Sequence, residues 1–205
     1  MKFRFNINKL LLFIILFLFI LSIYINRVLE VNNVAYKVAT EQYQCGIPVA
    51  IGSNFFFDAS EDPEGYEVTV LSSDLLSRSE YEKVHGVSLE TLNVEIGDYL
   101  FDVRVSFKNV NNYSNGHIFL RKYSLYSGAL ELPINYDILN LINPKLSQLS
   151  GFSLEPEAEL TVQLPFTAME AASLSNSVLI NDKMQNEKFY LCISEFPIRK
   201  IIELS

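Results

Sequence analysis

Tyr99-Leu-Phe-Asp-Val-Arg-Val-Ser-Phe-Lys108 decides the fold. Tyr99, Phe101, Val103, Val105 and Phe107 alternate with Leu100, Asp102, Arg104, Ser106 and Lys108. Successive side chains of a strand point to opposite faces, so one face here is apolar and the other mostly polar. That is the pattern of a half-buried strand. Asn109 to Gly116, rich in Asn, Ser and Gly, then reads as a loop.

Shorter strands recur on both sides. Pro48–Ile51 precedes Gly52, and Tyr66–Leu71 follows an acidic turn, Asp58–Gly65. His117–Leu120 and Tyr123–Tyr126 read as strands split by Arg121-Lys122. Glu159–Leu164 alternates Leu160, Val162 and Leu164 against Thr161 and Gln163, and Pro165 is expected to end it. Lys188–Ser194 alternates Phe189, Leu191 and Ile193 against Tyr190, Cys192 and Ser194. Ile198–Leu204 is the last strand. The expected core is Phe101, Val103, Val105 and Phe107 against Val68, Val70, Leu160, Val162, Leu191 and Ile193.

Helix signals are few in this region. Ser77 and Glu80 fit a capping box that opens a short helix through Val84, and Gly86 stops it. Tyr136–Leu141 and Met169–Leu174 read as further single turns. Many short strands with turn chemistry between them predict an all-β fold. The expected architecture is an antiparallel immunoglobulin-like β-sandwich over residues 45–205 with one short helical insertion. A barrel has the same periodicity and stays open as the alternative.

The amino-terminal end has a different character. Lys2, Arg4 and Lys9 precede an apolar run, Leu10 to Ile25, interrupted by Ser22 and closed by Arg27. A helix crossing a bilayer core of about 30 Å needs roughly 20 residues. Lys9 and Arg27 can lift their charges to the interface, so the run just spans. No small-residue pair follows Ile25 as a cleavage site would require, and no lipoprotein cysteine stands close behind. Residues 10–26 therefore read as an uncleaved transmembrane signal anchor, 1–9 as a cytoplasmic terminus and 27–44 as a spacer. Positive charge stays inside, which places the carboxy-terminal domain outside the cell membrane.

The chain carries 24 acidic and 16 basic residues. All 24 acids lie beyond Arg27 with only 12 of the basic residues, so that portion is at 12 − 24 = −12. Nucleic acid and anionic lipid surfaces repel such a domain.

Taken in order, several stretches resemble a known group. They are the anchor, Val49-Ala-Ile-Gly52, Gly65-Tyr-Glu-Val-Thr-Val-Leu71 and Glu80-Tyr-Glu-Lys-Val84. Val103-Arg-Val-Ser-Phe-Lys-Asn109, Leu160-Thr-Val-Gln-Leu-Pro-Phe166 and Tyr190–Arg199 complete the set. The chain resembles an uncharacterised family of membrane-anchored immunoglobulin-like ectodomains of Gram-positive bacteria, a domain of unknown function. Pro156-Glu157 departs from the Pro-Gly such domains often carry. The resemblance implies a cell-surface location and a fold, with no activity and no catalytic residues.

The chemistry-bearing residues are sparse. His85 and His117 lack metal-ligand spacing, and His85 suits a helix end, where a cation is favourable. Asp58, Glu61, Asp62 and Glu64 are the best candidate Ca²⁺ ligands, but Pro63 and Gly65 already explain the segment as a turn. Tyr113 and Tyr126 are candidate stacking platforms for carbohydrate, weakened by the absence of Trp. Asn112-Tyr113-Ser114 matches a glycosylation sequon. Cys45 and Cys192 lie outside the membrane, yet strand alternation turns Cys192 away from the apolar face, so two free or semi-buried thiols are expected. No catalytic, cofactor or metal residue is assigned, and no cofactor is expected.

The expected function is a non-enzymatic, membrane-tethered extracytoplasmic interaction domain for an unknown protein or envelope component. The rivals are an envelope binder or hydrolase of glycan or peptide, and an accessory subunit of a membrane transport or export complex.

Overall fold

The computed structural model describes residues 7–34, 38–57, 61–92, 96–114, 116–128, 130–146, 151–168 and 174–205. Within the first helix the side chains of 14–29 are described, and within the last helix those of 180–186. The chain divides into two compact units, Met1–Lys37 and Val38–Ser205.

The first unit carries helix α1, Ile7–Val34. Its side chains from Ile14 to Leu29 are exposed, including Phe17, Phe19 and Tyr24. Over Ile14–Leu21 every side chain is apolar, so this part of the helix has no polar stripe. Among the described residues no helix is long and apolar enough to cross a membrane. Lys2 and Arg4 lie outside the described residues.

The second unit is mostly β. In chain order it contains β1 (Ala39–Tyr43), β2 (Val49–Ala50), β3 (Tyr66–Ser77), α2 (Arg78–His85), β4 (Tyr99–Asn109) and β5 (Ser124–Ser127). There follow β6 (Leu130–Pro133), α3 (Tyr136–Ile142), β7 (Glu159–Thr167), α4 (Leu174–Asn186), β8 (Tyr190–Ser194) and β9 (Ile198–Glu203). The strands form two sheets, ordered β2-β3-β4-β7 and β1-β9-β8-β5-β6.

β4 is the spine of the first sheet. Val105 stands opposite Val70 on one side and Val162 on the other, and Phe107 opposite Val68 and Leu160. Phe101, Val103, Val105 and Phe107 are buried and share one apolar cluster with Leu125, Leu132, Leu191, Ile193 and Ile202 of the facing sheet. The rings of Phe101 and Phe189 are 4.7 Å apart. Phe107 meets Tyr123 edge-on at 5.5 Å. Each large side chain buried this way contributes roughly 1.5–3 kcal/mol, so this layer holds the two sheets together.

Several expectations need correction. The expected spacer, 27–44, contains β1, whose backbone pairs in parallel with β9 from Ala39 opposite Ile198 to Tyr43 opposite Ile202. The sandwich is therefore not wholly antiparallel. The side chains of β1 are mostly exposed, so no alternation marks it in the sequence. Pro165 does not end β7 but sits within it, opposite Asp102. β7 is an edge strand, and the Pro165 carbonyl turns outward to accept from the Asn135 amide. The missing amide donor faces the same way and costs the ladder nothing. β3 runs on to Ser77 past a bulge between Val70 and Ser72. His117–Leu120 forms no strand: Ile118 makes a single bridge to Phe152, and Leu120–Lys122 is a 3-10 turn. Of the turn expected at Met169–Leu174, residues 169–173 lie outside the described residues, and Leu174 opens helix α4.

The outer face of β4 is also partly covered. Leu100 is buried with Tyr81 of α2, Leu89 and Ile138 of α3 in a second apolar cluster. The two helices hold this position through their caps. Ser77 and Glu80 form the capping box, and Gly86 closes α2 in the left-handed region at φ 64°. Asn135 Oδ1 accepts from the Ile138 amide to start α3.

Candidate functional site

Strand alternation builds the site on the outer face of the five-stranded sheet. In β5, Leu125 turns inward, which sends Ser124 and Tyr126 outward. In β6, Leu132 turns inward, which sends Glu131 and Pro133 outward. Tyr126 stands opposite Glu131 on one side and Tyr190 on the other, and Ser124 opposite Cys192. A bulge between Cys192 and Ser194 leads to the turn carrying Glu195 and Phe196.

That turn is tied to a second loop. The amides of Glu195 and Phe196 donate to the Phe55 carbonyl at 3.0 and 2.8 Å, and the Phe55 amide donates back to Phe196 at 2.6 Å. Asn54 Oδ1 accepts from the Ile198 amide. The Glu61 carboxylate then caps the amides of Phe56 and Phe57 at 2.9 and 2.8 Å. These bonds set Phe57 at the rim of an open groove of about 330 Å³. Lys122, Ser124, Glu131, Glu195 and Phe196 line it as well.

Two carboxylates converge on one phenol. Tyr126 Oη lies 2.9 Å from Glu131 Oε1 and 3.1 Å from Glu195 Oε1. Burial, reinforced by Glu131, pushes the Tyr126 phenol up, so it remains protonated with one hydrogen to give. Arg199 lies over the Tyr126 ring at 5.4 Å, with Nη2 4.0 Å from Glu195 Oε1. Lys122 Nζ sits 3.3 Å from the centre of the Phe57 ring. Ser124, 4% exposed, lies beside Tyr126 on the same face. Cys192 is buried beneath these charges, and that burial pushes its thiol up to about 12. It donates to the Ser194 carbonyl and is no thiolate nucleophile at neutral pH.

The other expected residues are used structurally. Glu61 is a loop cap with both carboxylate oxygens engaged, and Asp62 Oδ2 accepts from Ser114 Oγ. Asp58 lies outside the described residues. Among the described residues no group of three or more His, Cys, Asp or Glu side chains is arranged to hold a metal. Asn112 is buried, with its amide donating to the carbonyls of Asp62 and Glu64. Its Oδ1 accepts from the amides of Ser114 and Gly116. In the folded chain that nitrogen is not available to a glycan. Tyr113 is 77% exposed on the loop after β4, whereas Tyr126 is covered by Arg199 and is not a bare stacking platform.

His117 Nδ1 lies 3.1 Å from Ser153 Oγ. His85 Nε2 lies 2.9 Å from Asp102 Oδ2, with the Tyr81 ring 4.4 Å from the imidazole. No serine or cysteine side chain bonds His85 among the described residues, so this pair is a clamp between α2 and β4. Cys45 and Cys192 are both free thiols, as expected.

Glu131, Glu195 and Arg199 were missed as site residues. They come together through a hairpin, a bulge and a turn, which no local spacing in the sequence records.

Residues 40–200 match the family described as Domain of unknown function (DUF5028). The chain belongs to the DUF5028 family. No curated protein matches this DUF5028 chain. Two solved structures are similar to it. One is the yjhA protein from Bacillus subtilis, at 9% identity and a TM-score of 0.38, with 80% of this chain and 99% of that one covered. The other is an uncharacterized beta-sandwich protein from Clostridium difficile 630, at 10% identity and a TM-score of 0.39, with 82% and 98% covered.

Proposed function

We propose that this DUF5028 chain is a membrane-tethered, extracytoplasmic binding domain of the Gram-positive envelope that works without catalysis. Residues 10–26 are its single transmembrane anchor. The sequence supports this reading through the uninterrupted Leu10–Leu21 apolar core and the excess of cations before it. A helix that is apolar on every side over Leu10–Leu21 suits a bilayer. The domain beyond it reads as immunoglobulin-like: β3-β4-β7 faces β6-β5-β8-β9, with β1 added beside β9 and β2 beside β3.

The groove over β5 and β6 carries the binding reading. It is open, charged and rimmed by an aromatic ring on a rigid sheet, the usual setting for recognition on a stable scaffold. The one thiol beneath the groove, Cys192, is buried and protonated, which supports a role without a thiolate nucleophile.

Affinity capture from solubilised membranes tests it. Intact chain should retain a partner that a variant carrying Glu131→Gln, Glu195→Gln and Phe57→Ser loses. Equal capture by both would move the binding surface elsewhere.

A further inference from the structure

We propose that the free edge of β1 pairs with β1 of a second copy of this chain, antiparallel and centred on Gln42. The pairing is independent of the groove and draws on the proposed anchor only for local concentration.

The two sheets have four edges, and three are blunted. β2 is two residues long. β6 is four and ends at Pro133, and Ile134 after it bridges to Phe166 of β7. Along β7 the Pro165 carbonyl accepts from the Asn135 amide, and the Gln163 carbonyl accepts from Asn143 Nδ2 at 2.9 Å. β1 differs. Its five residues follow β9 in unbroken register, and no described strand lies on its other side. Ala39–Gln42 are exposed. Alternate residues of such a strand turn their amides and carbonyls away from β9. That row is a template for another strand unless Pro, Lys or a bulge guards it, and Ala39–Tyr43 has none of these. Glu41, the only charge in β1, does not guard it either. Its Oε2 accepts from Tyr43 Oη at 2.7 Å and lies 3.9 Å from Lys200 Nζ.

The side chains of β1 complement themselves in one register. A two-fold centred on Glu41 would set two carboxylates face to face, which is destabilising. One centred on Thr40 sets Glu41 opposite Ala39, which offers no donor. One centred on Gln42 sets that amide, both donor and acceptor, against itself, and each Glu41 against Tyr43 of the partner subunit. Phenol and carboxylate already meet within the chain, so the pair fits. The two Ala39 positions then stand about 20 Å apart along the strands, and two anchors fit side by side in one membrane. So short an edge buries well under the roughly 1,000 Å² of a stable interface. Holding both copies in one membrane offsets this by raising their effective concentration.

Disulfide trapping of the full chain in detergent micelles tests the pairing, in a Cys45→Ser background that removes the half-buried thiol. Gln42→Cys sets the two introduced thiols directly opposite. Thr40→Cys sets them about 13 Å apart, beyond disulfide reach. Mild oxidation should give roughly fivefold more covalent dimer from Gln42→Cys than from Thr40→Cys on a non-reducing gel. Equal yields from both, or none from either, would overturn the pairing. Light scattering of the unsubstituted chain reads it without a variant. A dimer fraction that grows with concentration supports the pairing, and a monomer at every concentration contradicts it. Neither readout depends on the groove or on which side of the membrane the domain lies, so failure here leaves the tethered binding domain standing.

Discussion

His85 Nε2 reaches Asp102 Oδ2 at 2.9 Å and joins the last turn of α2 to the outer face of β4. Asp102 is 3% exposed and its other oxygen, Oδ1, has no hydrogen-bond partner. The imidazole is thus the carboxylate's sole side-chain partner among the described residues. His85→Ala should cost roughly 1–3 kcal/mol, because it strands a buried acceptor. Asp102→Asn, which keeps a hydrogen bond to the ring, should cost less. Urea unfolding of both variants measures this, and a loss below about 0.5 kcal/mol for His85→Ala would show that the clamp holds nothing.

The inner face of β4 gives a second contrast. Val105 is fully buried and Arg104 exposed. Val105→Ala should cost roughly 1–3 kcal/mol through lost burial and a cavity. Arg104→Ala should stay within about 0.5 kcal/mol. Similar losses at both positions in urea unfolding would contradict the assigned faces.

Much of this was legible in the sequence. The period-two run from Tyr99 to Lys108 announced the central strand, and Ser77, Glu80 and Gly86 announced both ends of α2. What escaped has physical reasons. β1 is held by backbone pairing with mostly exposed side chains, so it carries no hydrophobic pattern. Pro165 is harmless only because β7 lies at a sheet edge, a fact of topology. Asp102 looked like a solvent-facing residue until α2 folded over it. The groove escaped for a related reason: Tyr126, Glu131 and Glu195 meet across strands, and only Tyr126 drew notice as an exposed aromatic.

Alkaline pH should destabilise the domain. Burial raises Cys192 from 9.0 to about 12 and also raises the phenols of Tyr81, Tyr123, Tyr126 and Tyr136. A folded-state pKa above the unfolded one means the folded chain holds protons that the unfolded chain releases. That stability is fully present below pH 9 and is lost as pH rises toward 12, at up to about 1.4 kcal/mol per pH unit for one group. The urea midpoint should fall between pH 9 and 11, and Cys192→Ala should flatten the first part of the fall. An unchanged slope in that variant would show that the thiol is not protected.

The two thiols should react separately. Cys45 is half-buried, with its Sγ near the Val70 carbonyl, while Cys192 is fully buried. Alkylation of the folded chain should label Cys45 first and Cys192 only after unfolding. Mass spectrometry without reductant should find no peptide linking the two, and such a peptide would contradict their free state.

Asn112 should behave as a loop hinge pin. Asn112→Ala removes its bonds to Asp62, Glu64, Ser114 and Gly116 and should cost roughly 1–3 kcal/mol. Loss of less than about 0.5 kcal/mol in urea unfolding would show that the loop holds without it.

We propose that residues 10–26 tether the domain outside the membrane. Protease added to intact cells expressing the full chain, followed by blotting for each end, tests it most directly. Digestion of residues 45–205 in intact cells, with an amino-terminal fragment retained in the membrane, is the expected result. Protection of the domain until the cells are lysed would contradict it.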